Sequence, residues 1–138
     1  MVEVNLVSFD KRFDVLAEPL RQKAERVLRF LKEKNIVLDI YLIGASRMRK
    51  LNHQYRGKDS VTDVLAVEPP KDFPQLAKRA IGEVYLNPPC VRKKNYDIDY
   101  ALVHGVLHLI GFRHERKSDK IEMEKREKKI LQWLTNTS

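Results

Sequence analysis

Polar and apolar residues alternate over residues 2–8, the period of a half-buried strand. Leu20, Ala24, Val27, Leu28 and Leu31 then recur at helical spacing. With Pro19 in the first turn and Lys32 and Lys34 in the last, they predict an amphipathic helix whose apolar stripe faces a core. Residues 36–43 are β-branched and nearly continuously apolar, as in a largely buried strand. Ser46 is placed to cap a short helix carrying Met48, Leu51 and Tyr55 that stops at Gly57. Residues 62–68 and 81–87 read as a third and a fourth strand, separated by a loop containing Pro69, Pro70 and Pro74 and closed off by Pro88 and Pro89. From Asp97 or Asp99 to Gly111 the chain is apolar around nearly the whole helical circumference, which puts this helix at the centre of the fold. A last helix is expected from about Asp119 to Leu134, opened by a D-x-x-E capping box of Asp119 and Glu122. The order β-α-β-α-β-β-α-α predicts an α+β architecture: one domain over residues 1–138, a mixed four-stranded sheet packed by helices, and a buried central helix.

That central helix carries the chemistry. The segment HGVLHLIGFRH holds three of the four histidines of the chain. His104 and His108 are four residues apart, so both rings leave one face of the helix and can reach one ion. Gly111 can end the helix and turn the chain back, bringing His114 to the same point from outside. Three imidazoles leave one position of a tetrahedral ion open, a catalytic arrangement; a structural zinc would take four protein ligands, and the single cysteine, Cys90, lies fourteen residues before His104. Three buried, unpaired imidazoles would otherwise be costly. Ala101 and Gly105 share the side of the two histidines, leaving room for a substrate or serving helix packing. The spacing H-x-x-x-H-x-x-G-x-x-H is also that of metzincin proteases, which carry a glutamate directly after the first histidine as general base. Here that position is Gly105, which argues against peptide hydrolysis.

Charge narrows the substrate. The 138 residues include 27 Lys and Arg against 19 Asp and Glu, a net charge of +8, which attracts polyanions and nucleic acid first among them. No helix combines exposed basic and amide side chains in a DNA-reading pattern, so no DNA specificity is expected. The alternating N-terminus is unlike a signal peptide, and the longest nearly apolar stretch, 100–112, is too short to span a bilayer, so no membrane partner is expected. With one cysteine no internal disulfide can form; together these features point to the cytoplasm.

Three motifs in order resemble the YbeY family of rRNA-maturation endoribonucleases: HGVLHLIGFRH, LNHQYRGKDSVTDVLAVEPP and IGEVYLN, together about half the chain. The resemblance implies an α+β fold, one zinc ion per chain on His104, His108 and His114, and cleavage of single-stranded RNA in rRNA maturation and ribosome quality control. RNA, as an rRNA precursor, and the ribosomal subunit are the implied partners. Arg56 matches the functional arginine of the family, so Arg56 and His114 form the candidate catalytic set. A guanidinium there can bind two phosphate oxygens and stabilise the added charge of a pentacovalent phosphorus; otherwise Arg56 is a solvated charge at a helix end. The chain departs from the family pattern at Arg113, where an aspartate is usual, at Ala66 and Val67 for Ser-Phe, at Glu83 for Asp, and in a short connection between Asn87 and His104.

The expected chemistry is metal-assisted phosphodiester cleavage, with zinc acidifying water and polarising a phosphoryl oxygen. His53 and Glu115 are the candidates for a general base. Glu127 falls inside the apolar stripe of Met123, Ile130, Leu131 and Leu134, where it pairs with a buried arginine, orients a metal ligand, or reaches water from the stripe edge. Two alternatives stand beside the nuclease: a zinc hydrolase of another substrate class, and a non-catalytic, basic ribosome-associated assembly factor with a fold-stabilising zinc.

Overall fold

The computed structural model describes residues 1–70, 72, 79–111 and 117–137, the side chains of 117–119 and 137 excepted. Four strands, β1 (Val2–Ser8), β2 (Ile36–Leu42), β3 (Val64–Val67) and β4 (Arg79–Leu86), form one mixed sheet in the order β1-β2-β4-β3. β1 and β4 both run parallel to β2, and β3 runs antiparallel to β4 along one edge. Five α-helices accompany it: α1 (Asp14–Phe30), α2 (Ala45–Arg56), α3 (Pro88–Lys93), α4 (Ile98–Leu109) and α5 (Lys117–Thr137). The α+β class and the four-stranded mixed sheet agree with the sequence pattern.

One face of the sheet makes the core. Val4 of β1, Leu38 and Ile40 of β2 and Val84 and Leu86 of β4 pack with Leu20, Ala24, Val27 and Leu28 of α1, with α4, and with Met123, Ile130 and Leu134 of α5. α4 lies between α1, α5 and the sheet, with Ala101, Leu102, Val103, Val106 and Leu107 all fully buried, as its all-round apolar character requires. α2 lies over a smaller cluster of Ile43, Met48 and Leu65, flanked by the half-buried Tyr41 and Tyr85.

Several boundaries differ from the sequence reading. α1 begins at Asp14, so Pro19 lies within it and not in its first turn. The start is set upstream, where the Asp10 carboxylate accepts from the Arg12 N–H, caps a 3-10 turn (Lys11–Phe13), and that turn runs into the helix with Phe13 buried as an anchor. The Val15 carbonyl loses its helical donor to the proline, but Val15 is 80% exposed, where water can replace it. Ser46 is not the cap of α2. The chain leaves the sheet with the Ile43 N–H bonded to the Leu86 carbonyl, and Gly44 precedes the helix with no side-chain cap. Gly57 does end α2, in the left-handed region at φ 71°. β3 is shorter than expected and β4 starts two residues earlier. Pro88 and Pro89 do more than stop a strand: they occupy the first turn of α3, capped by the Asn87 side chain, which accepts from the Cys90 N–H at 2.9 Å. α5 begins at Lys117, so Asp119 stands inside the helix, not at its cap, and its side chain lies outside the described residues.

Gly82 fixes how closely α4 approaches the sheet. At φ 134°, beside a register shift in the β2–β4 pairing, a Cβ there would strike the Val67 carbonyl oxygen and lie 2.8 Å from Leu109 Cδ2. A glycine lets the C-terminal end of α4, with His108, sit against β3 and β4.

Candidate active site

α4 is held at its N-terminus by Asp97, whose carboxylate accepts from the Asp99 N–H at 3.1 Å, and by an ion pair of Asp99 with Lys23 of α1 at 2.9 Å. From that anchored start, Tyr100, Ala101, His104, Gly105 and His108 follow one stripe of the helix and form the floor of a cleft of about 250 Å³. Val64 and Ala66 of β3 make one wall. Thr62 and Asp63 come from the approach to that strand, Lys94 and Tyr96 from the turn between α3 and α4, and Arg56 from the last turn of α2.

The end of α2 is well fixed. The Gly57 N–H bonds to the His53 carbonyl at 3.0 Å, and the buried Asn52 donates to the Ser60 carbonyl at 2.9 Å, tying the following loop to the helix. Arg56 itself is exposed, and it lines both this cleft and an adjoining groove with His108. Asp63 and Lys94 are joined by an ion pair at 3.2 Å.

His104 is oriented from behind. Its Nδ1 lies 3.0 Å from Oε1 of Glu127 on α5, and Glu127 is 1% exposed. Beside a carboxylate the ring carries its proton on Nδ1 and donates it, which leaves Nε2 as the lone-pair nitrogen. Glu127 therefore contacts His104, the histidine expected as a metal ligand. The Tyr100 ring stacks near that of His104 at 6.1 Å between centroids. Burial, and then the nearby Glu127 carboxylate, push the Tyr100 hydroxyl up to about 12.

The donor set fits a metal ion as far as it is described. His104 meets Glu127 through Nδ1, and both His104 and His108, one turn further along α4, open on the same cleft. His114 lies outside the described residues, as do Arg113 and Glu115. Among the described residues no group of three or more His, Cys, Asp or Glu is placed to hold an ion.

Gly105 has a double role. It lines the cleft, yet an added Cβ would meet Val84 Cγ1 at 2.9 Å and Val64 Cγ2 at 3.2 Å, so the helix also packs against the sheet through this glycine. Any side chain at this position would have to displace Val84 and Val64. His53, the other candidate base, is exposed and is not among the residues lining the cleft. Glu83 lies on the opposite face of the sheet from the cleft, near Tyr41 and Tyr85. Sequence reasoning missed Tyr100, Tyr96, Lys94 and Asp63. Tyr100, one turn before His104, was within reach of the helical period that paired the histidines.

Two histidines and an arginine line one cleft of this α+β fold, with a buried carboxylate behind one of the histidines. The comparisons with known proteins give the family. Residues 6–135 match the family model of endoribonuclease YbeY. An endoribonuclease YbeY of Thermodesulfovibrio yellowstonii is 30% identical, the match covering 96% of this chain and 98% of the relative. One from Leptospira biflexa is 31% identical over 90% and 88% of the two chains. The solution structure of TM1509 from Thermotoga maritima superposes with a TM-score of 0.60 at 26% identity, covering 99% of this chain and 94% of that one. The chain belongs to the endoribonuclease YbeY family.

Proposed function

We propose that the protein is a zinc-dependent endoribonuclease that cuts single-stranded RNA, with rRNA precursors on the ribosomal subunit as its cytoplasmic substrate. Family membership supports the ribonuclease activity. The observation that carries the site assignment is the convergence of Arg56, His104 and His108 on one cleft, with Glu127 behind His104. Among the described residues no helix is long and apolar enough to cross a membrane.

His104, His108 and His114 would hold the ion, which when bound supplies Lewis-acid polarisation of a phosphoryl oxygen and a lowered pKa for water. The other steps belong to side chains of the cleft. Glu127 fixes the ring of His104 so that Nε2 faces inward. Arg56 offers the phosphate two N–H donors from a well-fixed helix end and stabilises the charge that grows at phosphorus. Lys94 lines the same cleft and attracts the RNA backbone while remaining paired to Asp63. The floor of Ala101 and Gly105 keeps side-chain bulk away from the histidines.

The test is cleavage of a single-stranded RNA by the zinc-loaded protein and by Arg56→Ala. Arg56 is exposed, so the variant should keep its melting temperature and lose about 10²–10³-fold in kcat, the usual cost of one charge-stabilising donor. A wild-type rate in Arg56→Ala would remove Arg56 from the mechanism. A wild-type protein that binds RNA and zinc without cutting would favour the assembly-factor alternative.

A further inference from the structure

A second cavity, about 350 Å³, adjoins the histidine cleft, and Tyr96 lines both. Its floor is apolar: Phe13 and Val91 are buried, and Leu16 and Ile98 are half-buried. It stays open because α3 is only six residues long and the chain turns at once into α4, leaving the first turn of α1 uncovered. Val15, 80% exposed, stands on its rim.

The rim is basic. Arg92 is exposed and makes no ion pair among the described residues, and Lys94, paired to Asp63, lines the neighbouring cleft. Arg12 closes the far side, with its guanidinium 5.2 Å over the Phe13 ring and paired to Asp10. The one carboxylate on the lining, Asp97, already caps α4. Between the cavities the rings run in sequence. Tyr96 meets Tyr100 edge-on at 5.1 Å, and Tyr100 stacks near His104.

An apolar floor, an aromatic partition and an unpaired cation at the rim are what one nucleotide needs: a surface for its base and a charge for its phosphate. We propose that this cavity is a subsite for one nucleotide of single-stranded RNA flanking the nucleotide at the histidines, with Tyr96 separating the two bases and Arg92 holding the phosphate. The proposal rests on the ribonuclease reading of the cleft. Continuity through Tyr96 and the charge of the rim favour RNA over an apolar protein segment.

The test compares a short single-stranded oligonucleotide with the same one lengthened by two nucleotides at either end. Binding is read by fluorescence anisotropy on 2′-O-methyl oligonucleotides, and cleavage separately on unmodified RNA. Extension at one end only should tighten binding about tenfold, the scale of one stacked base. Arg92→Glu and Val15→Glu, both at exposed positions, should erase that gain. Lys129→Glu, the same sign of charge change at an exposed position of α5, should keep it. If RNA is cleaved but neither extension tightens binding, or the gain survives in Arg92→Glu and Val15→Glu, the subsite is overturned and the ribonuclease reading stands. If no RNA is cleaved but the extension gain is present and sensitive to Arg92→Glu, the nucleotide site stands and the ribonuclease reading falls.

Discussion

Replacing Glu127 by leucine separates the part this residue plays in metal binding from the part it plays in folding. Its carboxylate is 1% exposed on the apolar stripe of α5, with Oε1 3.0 Å from His104 Nδ1 and Oε2 without a hydrogen-bond partner among the described residues. In the metal-free protein, removing one partner of a buried pair destabilises; the gain of about 1–4 kcal/mol from apolar replacement comes only when both partners are exchanged. Leaving the Nδ1–H of the half-buried His104 without its acceptor costs about 1–3 kcal/mol. Metal-free Glu127→Leu should therefore melt below wild type. Zinc affinity should fall as well. Losing the group that orients a ligating histidine lowers affinity about 10–100-fold, or roughly 1.4–2.7 kcal/mol at 1.36 kcal/mol per decade. Glu127→Gln keeps an acceptor for Nδ1 and should fall between the two. Thermal melts of metal-free protein and zinc titration against a competing chelator read the two effects independently. Wild-type zinc affinity in Glu127→Leu would refute the orienting role. A collapse of the metal-free fold with unchanged affinity would make Glu127 a packing residue only.

The packing of α4 against the sheet gives a second expectation: Gly105→Ala should lower the urea midpoint by about 1–3 kcal/mol of stability, because the new methyl meets buried Val84, a β-branched side chain with little rotamer freedom; an unchanged midpoint would contradict the contact. On the opposite face, burial and then the nearby Glu83 carboxylate hold the Tyr85 hydroxyl well above its usual 10.0, and Tyr41 is raised by burial first and then by the Asp39 and Glu83 carboxylates. A pKa raised on folding makes a contribution that is complete below the unfolded value and declines as pH rises past it. Stability should therefore fall above about pH 10, and Tyr85→Phe should flatten that fall in denaturant melts across alkaline pH. Equal slopes in the two proteins would rule Tyr85 out as the cause.

Much of this was legible because periodicity reports directly on burial. The alternation of residues 2–8, the stripe of α1 and the all-round apolar character of α4 each follow from which faces must leave water, and the sheet and its central helix could be read from them. Boundaries were less legible because local chemistry competes with pattern. Asp10 starts a turn that extends α1 past Pro19, and Asn87 with two prolines nucleates α3 where the same prolines also read as a stop. In the site, His104, His108 and Arg56 were found by spacing and motif, and they do share a cleft. Tyr96, Lys94 and Asp63 reach it from segments 31 to 33 residues apart in sequence, Asp63 against Lys94 and Tyr96, and only the tertiary fold brings them together. Gly105 shows the limit most clearly: its smallness on the helix wheel left open whether it served substrate or packing, and the neighbouring Val84 and Val64 show that packing claims part of it.

The central claim, a zinc ion held by histidines of α4, is tested most directly by the metal content of the purified protein beside that of His108→Ala prepared identically. The account predicts close to one zinc per chain in the native protein and almost none in the variant. A native protein that binds no metal after zinc is supplied, or a His108→Ala protein that retains it fully, would contradict it.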